Sequence, residues 1–131
     1  MEEHPGAARM RDYLALFEKG DLEALRDFYS PDVVWHVGGD HPLSGDYRGQ
    51  DALVDYFKKV RELTGGSLRL EPESILAGDR YTAMFARVQA QRDERSLNVL
   101  MAQVFKIGED GKWGEYWASA EDQAHVDAFW A

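Results

Sequence analysis

Two periods of apolar residues divide the chain. They recur at helical spacing from Ala7 to about Tyr29 and again from Gln50 to Leu63, then alternate from Ser67 to Ser119. Met10, Tyr13, Leu14 and Phe17 follow the i, i+3, i+4, i+7 pattern of an amphipathic helix, which Gly20 is placed to end. Asp21 can cap a second, short helix with Leu22, Leu25 and Phe28 or Tyr29 on its apolar side, until Pro31 stops it. Leu53, Tyr56, Phe57 and Val60 define a third helix, closed by Thr64-Gly65-Gly66. The alternating region is cut by turn signals at Ala77 to Arg80, Arg92 to Arg95 and Gly108 to Gly111. It therefore predicts successive antiparallel strands over Leu68 to Leu76, Tyr81 to Gln91, Ser96 to Ile107 and Lys112 to Ser119. Val126, Phe129 and Trp130 predict a short closing helix capped by Asp122, and Met1 to Pro5 read as frayed.

Helices followed by a meander of strands make an α+β fold, a cone-shaped curved antiparallel sheet covered by N-terminal helices that enclose a pocket. The third of those strands carries Leu97, Val99, Met101, Gln103, Phe105 and Ile107 on one face, and Asn98, Leu100, Ala102, Val104 and Lys106 on the other. Both faces are largely apolar, so one is expected to pack on the helices and the other on a second copy, which predicts a homodimer.

The stretch from Tyr29 to Gly49 joins the two halves. Val33 to Val37 is β-prone, with Val33, Trp35 and Val37 on one face and Val34 and His36 on the other, and it leads into a turn-rich loop, Gly38 to Gly49. The pleat makes Trp35 and His36 alternatives: one faces the pocket and the other does not, unless a bulge rotates the strand.

Composition narrows the function. The 131 residues suit a single domain, 1–131, with 44% hydrophobic and 12% aromatic positions. Fifteen Lys and Arg against 24 Asp and Glu leave a formal charge of −9, which argues against nucleic-acid and anionic-membrane partners. The absence of cysteine removes thiolate chemistry, and His36, Asp40, His41 and Asp46 match no familiar metal-ligand spacing, so neither metal nor cofactor is expected. The N-terminal Glu2, Glu3 and His4 do not resemble a leader, and a cytoplasmic location is the expectation.

The run from Tyr13 to Leu22, the segment Tyr29-Ser-Pro-Asp-Val-Val-Trp-His36, Pro42 to Gly45, Tyr47-Arg48-Gly49, and the late Phe105-Lys106-Ile107 with Asp110-Gly111-Lys112 resemble the nuclear transport factor 2-like superfamily. More closely, they resemble its SnoaL-like, ketosteroid-isomerase-related branch, over about Met10 to Trp130. The resemblance implies a cystatin-like α+β barrel and a small hydrophobic ligand bearing a carbonyl or hydroxyl. It also implies cofactor-independent proton transfer of the isomerase or polyketide cyclase kind, or a non-catalytic binding or dimerisation module of the same fold. The isomerase's oxyanion-binding tyrosine falls on Tyr13 and its acidic oxyanion donor on Gln103. Its basic aspartate falls on Val37 without a gap, or on His36 if the loop is one residue shorter.

His36, Tyr13 and Gln103 are therefore the candidate catalytic residues, an imidazole base and two hydrogen-bond donors. Trp35, Val37, Trp117, Met101 and Phe57 are the candidate ligand wall, with Tyr56 and Phe85 as further aromatic neighbours. Each has an ordinary structural reading as well: a satisfied histidine, a core tyrosine, or a glutamine bonded to Tyr13 or His36 inside the core. Convergence of the three polar side chains on one cavity separates the readings.

Overall fold

In a computed structural model, which describes residues 3–131, the element order is α1 (Pro5–Lys19), a 3₁₀ turn (Ala24–Phe28), β1 (Tyr29–Val37), β2 (Gly45–Arg48), α2 (Gln50–Thr64), β3 (Arg69–Ala77), β4 (Tyr81–Arg92), β5 (Arg95–Ile107), β6 (Trp113–Ala120) and α3 (Gln123–Trp130). Met1 and Glu2, part of the segment expected to fray, lie outside the described residues; Pro5 opens α1, and the His4 ring accepts the Gly6 N–H. Gly20 ends α1 in the left-handed conformation, φ 75°, and a Cβ there would meet the Arg61 guanidinium at 2.6 Å.

The strands form one curved, unclosed sheet in the order β2-β1-β6-β5-β4-β3. Pairing is antiparallel except between β1 and β6, which run parallel with Trp35 opposite Tyr116. That parallel pair follows from chain order: β1 enters the sheet beside the last strand, after the long excursion through α2 and the meander has returned the chain. Three local expectations change. The second helix tightens to a single 3₁₀ turn, β1 begins at Tyr29 and runs through Pro31, and the glycine-rich loop contributes β2, paired to β1 as His36 to Asp46. Pro72 sits on β3, an edge strand, beside a register shift, where the missing N–H costs no ladder bond inside the sheet.

The helices cover the concave side, α1 against β3, α2 against β1, β2 and β4, and α3 against β5 and β6. Buried side chains form two clusters. One gathers Met10, Tyr13, Tyr29, Trp35, Phe57, Phe105, Trp113 and Tyr116; the other gathers Leu43, Val60, Val88, Leu97, Val99, Val126, Phe129 and Trp130. Among the described residues no helix is long and apolar enough to cross a membrane.

Candidate ligand-binding site

A cavity of about 120 Å³ lies between the two clusters. Its wall is drawn from α1 (Tyr13, Phe17), β1 (Trp35, Val37), α2 (Tyr56, Phe57, Val60), the meander strands and α3 (Gln123, Val126, Trp130). The alternation of β1 sends Trp35 inward, where it is 6% exposed and stacks on Tyr116 with ring centroids 3.4 Å apart. Phe57 meets the Trp35 ring edge-on at 5.2 Å.

The polar groups of this wall are few and unevenly paired. Tyr29 donates its O–H to the Tyr13 hydroxyl oxygen at 2.6 Å, and Tyr116 donates to Gln103 Oε1 at 2.9 Å. Gln103 is 6% exposed, and its Nε2 has no hydrogen-bond partner. Arg9 Nε and Thr82 Oγ1 share that condition among the described residues, but of the three only Gln103 lines the cavity. A buried amide N–H without an acceptor costs roughly 1–3 kcal/mol, so this atom marks where an acceptor is wanted. Burial raises the hydroxyl pKa of Tyr13, Tyr29, Tyr56 and Tyr116 well above the usual tyrosine range, the Tyr13 shift being partly offset by its bond to Tyr29. All four remain neutral donors at ordinary pH.

One end of the cavity is walled by the segment after β1 and by α3. The Asp127 carboxylate joins them, accepting from the Asp40 backbone N–H at 3.1 Å and from Gln123 Nε2 at 2.9 Å. Those bonds, Gln123 first, hold its pKa below the usual carboxylate range. Gly39 makes the approach possible: at φ 87°, a Cβ would stand 2.2 Å from Gln123 Nε2 and 2.3 Å from Asp127 Oδ1. Asp127 is thus a tie between two wall elements, and Asp122 caps α3 through the His125 N–H, as expected.

The structure places Tyr13, Gln103, Trp35, Val37, Met101 and Phe57 around this one cavity. His36 does not join them. It borders the cavity through its place in β1, but its ring leaves by the convex face, Nδ1 2.6 Å from Asp46 and Nε2 2.7 Å from Glu115. Period-two alternation is the reason: with Trp35 inward, its neighbour points out, and no bulge intervenes between Val34 and Val37 in the pairing with β2. The Glu115 and Asp46 contacts raise the His36 pKa above its ordinary value. Trp117, also expected to line the pocket, is 37% exposed and stacks on the outer side of His36 at 5.8 Å. Gln103 bonds neither Tyr13 nor His36 but Tyr116.

Tyr116, His41 and Gln123 were not singled out for the wall by sequence. Tyr116 enters the wall through its register, opposite inward-facing Phe105, while Trp117 opposes outward-facing Val104. His41 lines the cavity with its pKa lowered by burial, and its Nδ1 accepts the Leu43 N–H at 3.2 Å. No Asp, Glu, Lys or Arg belongs to the wall among the described residues. The arrangement can hold an oxygen acceptor in an apolar chamber; it offers no free carboxylate to remove a proton.

An α+β cone of this kind, with a cystatin-like curved sheet around a pocket, defines the nuclear transport factor 2-like class. The chain belongs to the SnoaL-like domain family, whose model matches residues 10–116. It is 29% identical over 125 residues to an uncharacterized protein of Mycobacterium tuberculosis H37Rv, covering 93% of both chains. Among solved structures it is similar to Bal32a, from a soil-derived mobile gene cassette, with TM-score 0.89, 25% identity and 95% of each chain covered. It is also similar in fold to TerC co-crystallized with polyporic acid, with TM-score 0.81, 17% identity, and 96% and 98% of the two chains covered.

Proposed function

We propose that this protein binds a small apolar molecule through an oxygen acceptor placed between Tyr13 and Gln103. The observation that carries the reading is the unpartnered Gln103 Nε2, buried in the cavity wall. That a protein of the same fold was co-crystallized with a small molecule supports it. An isomerase or cyclase would use the same two donors on a developing oxyanion, but it also needs a proton acceptor. The His36 ring is committed to two carboxylates on the other face, and the His41 Nδ1 already accepts a backbone N–H. Binding is therefore the better-supported function.

The test is the melting temperature of the protein against small ketones and phenols. A ligand at one hundred times its dissociation constant stabilises by about 2.7 kcal/mol, several degrees for a domain of this size. The expected result is a shift that Gln103→Leu and Tyr13→Phe abolish; no shift from any compound overturns the reading.

Self-association through the convex face is a second component of the proposal. Phe85 and Trp117 are 39% and 37% exposed there, flanking half-buried Ala102 and Val104. Sedimentation equilibrium should give a dimer that Trp117→Glu dissociates; a monomer at every concentration overturns this component.

A further inference from the structure

The cavity discriminates more narrowly than the word apolar conveys. Resting on the binding reading above, we infer that it selects an uncharged molecule of single-ring size carrying one hydrogen-bond acceptor, and rejects both carboxylates and polycyclic ketones.

Three observations carry this independently of one another. The first is volume. At about 120 Å³ the space is nearer the roughly 150 Å³ apolar cavity that accepts benzene than the roughly 300–1,000 Å³ of clefts that hold drug-sized molecules. Trp35 and Tyr116 lie face to face at 3.4 Å, 5° from parallel, so no further ring enters between them. Phe57, edge-on to Trp35, closes the side from α2.

The second is charge. The wall contains no Lys or Arg to meet a carboxylate and no Asp or Glu to meet an amine, among the described residues. His41, the one imidazole whose ring is not drawn away to the convex face, is held toward its neutral form by burial. An ion entering this chamber would surrender its hydration without a counter-charge, a loss that a neutral ketone of the same size escapes.

The third is the sense of the hydrogen bonds. Tyr29 and Tyr116 already donate to the oxygens of Tyr13 and Gln103. Tyr13 keeps its own O–H and Gln103 its unpartnered amide nitrogen, and both residues line the cavity, so each brings a donor to it. The complementary ligand therefore brings an acceptor, a carbonyl or ether oxygen.

The experiment is calorimetric titration of the 131-residue protein with four probes: acetophenone, ethylbenzene, benzoate and progesterone. Acetophenone should bind about tenfold tighter than ethylbenzene, the value of one well-placed hydrogen bond. Benzoate and progesterone should each bind at least about a hundredfold more weakly than acetophenone. The double variant Tyr13→Phe/Gln103→Leu should bring acetophenone and ethylbenzene to parity. Progesterone or benzoate binding as tightly as acetophenone overturns the size or the charge limit and leaves the pocket reading standing. A preference for acetophenone that survives the double variant Tyr13→Phe/Gln103→Leu overturns the donor assignment. Silence from all four probes overturns the pocket reading itself, and this inference with it.

Discussion

Trp35 and His36 are adjacent in β1, yet they belong to opposite chemical regimes. On the concave side Trp35 is packed among rings beside Tyr13 and Gln103, whose donors are incompletely used. On the convex side His36 has a carboxylate on each ring nitrogen and an indole over its face. The convex cluster is richer in titratable groups but has little left to offer a ligand, because each polar atom of the ring is already met. The concave wall is poorer in polar groups and has capacity to spare in a dry setting, where an unmet donor is costly and a met one is strong. Unused hydrogen-bonding capacity, more than the presence of a histidine, distinguishes the candidate site.

The largest difference between the two faces should be in stability. Trp113 is 1% exposed, with its ring 4.6 Å from Phe105, 5.0 Å from Tyr13 and 5.7 Å from Tyr29. Trp113→Ala removes a ring shared by most of the first cluster and should cost about 3–5 kcal/mol. Trp117→Ala on the convex face should cost the monomer less than about 1 kcal/mol, since half-exposed surface loses little on truncation. Urea denaturation at low protein concentration measures both. Equal costs would mean that the convex face is as much a core as the concave one.

Gln103→Leu sharpens the contrast further. The change removes the unpartnered amide nitrogen, which relieves a penalty, and it deprives the Tyr116 O–H of its acceptor, which imposes one. These are of similar size, roughly 1–3 kcal/mol each, so stability should stay within about 1 kcal/mol of the wild type while ligand affinity falls. A loss of several kcal/mol in the unliganded protein would make Gln103 a structural residue.

The fold was legible where local patterning decides it. The periods at Met10 to Phe17 and Leu53 to Val60 became α1 and α2, and the turn signals after Ala77, Arg92 and Ile107 bound the meander. Nothing local announced β2, whose four residues become a strand only because β1 presents an edge to them, or the 3₁₀ form of Ala24–Phe28. At the site, Tyr13 and Gln103 were nominated through the resemblance to the isomerase, and the pattern added only that each lies on a largely apolar face. The choice between Trp35 and His36 could not be made that way. Both neighbours suit a strand, and the outward position of His36 depends on Asp46 and Glu115 arriving from β2 and β6, a pairing of residues 79 positions apart in the case of Glu115. The bulge between Lys106 and Ile107 has the same character, since it sets which of Tyr116 and Trp117 turns inward.

The finest difference between the two faces is in proton affinity. Imidazole nitrogens 2.6 and 2.7 Å from two carboxylates are both satisfied only when both carry hydrogen, so the geometry favours the cation. Glu115 and then Asp46 raise the folded His36 pKa above 6.5. The resulting stability is fully present below the unfolded value and is lost as pH rises through the folded one. His41 at the cavity wall has the opposite sense. Burial lowers its pKa below 6.5, so its contribution is full above the unfolded value and is lost as pH falls through the folded one. Imidazole C–H resonances, assigned with His36→Gln and His41→Gln, should therefore titrate with His36 above and His41 below the ordinary histidine midpoint. The stability advantage of wild type over His36→Gln should shrink as pH rises from 6.5 through the raised folded value, by less than about 1 kcal/mol because water screens a cluster so near the surface. A His41 that titrates above His36 would reverse the assignment of wet and dry faces on which the binding reading stands.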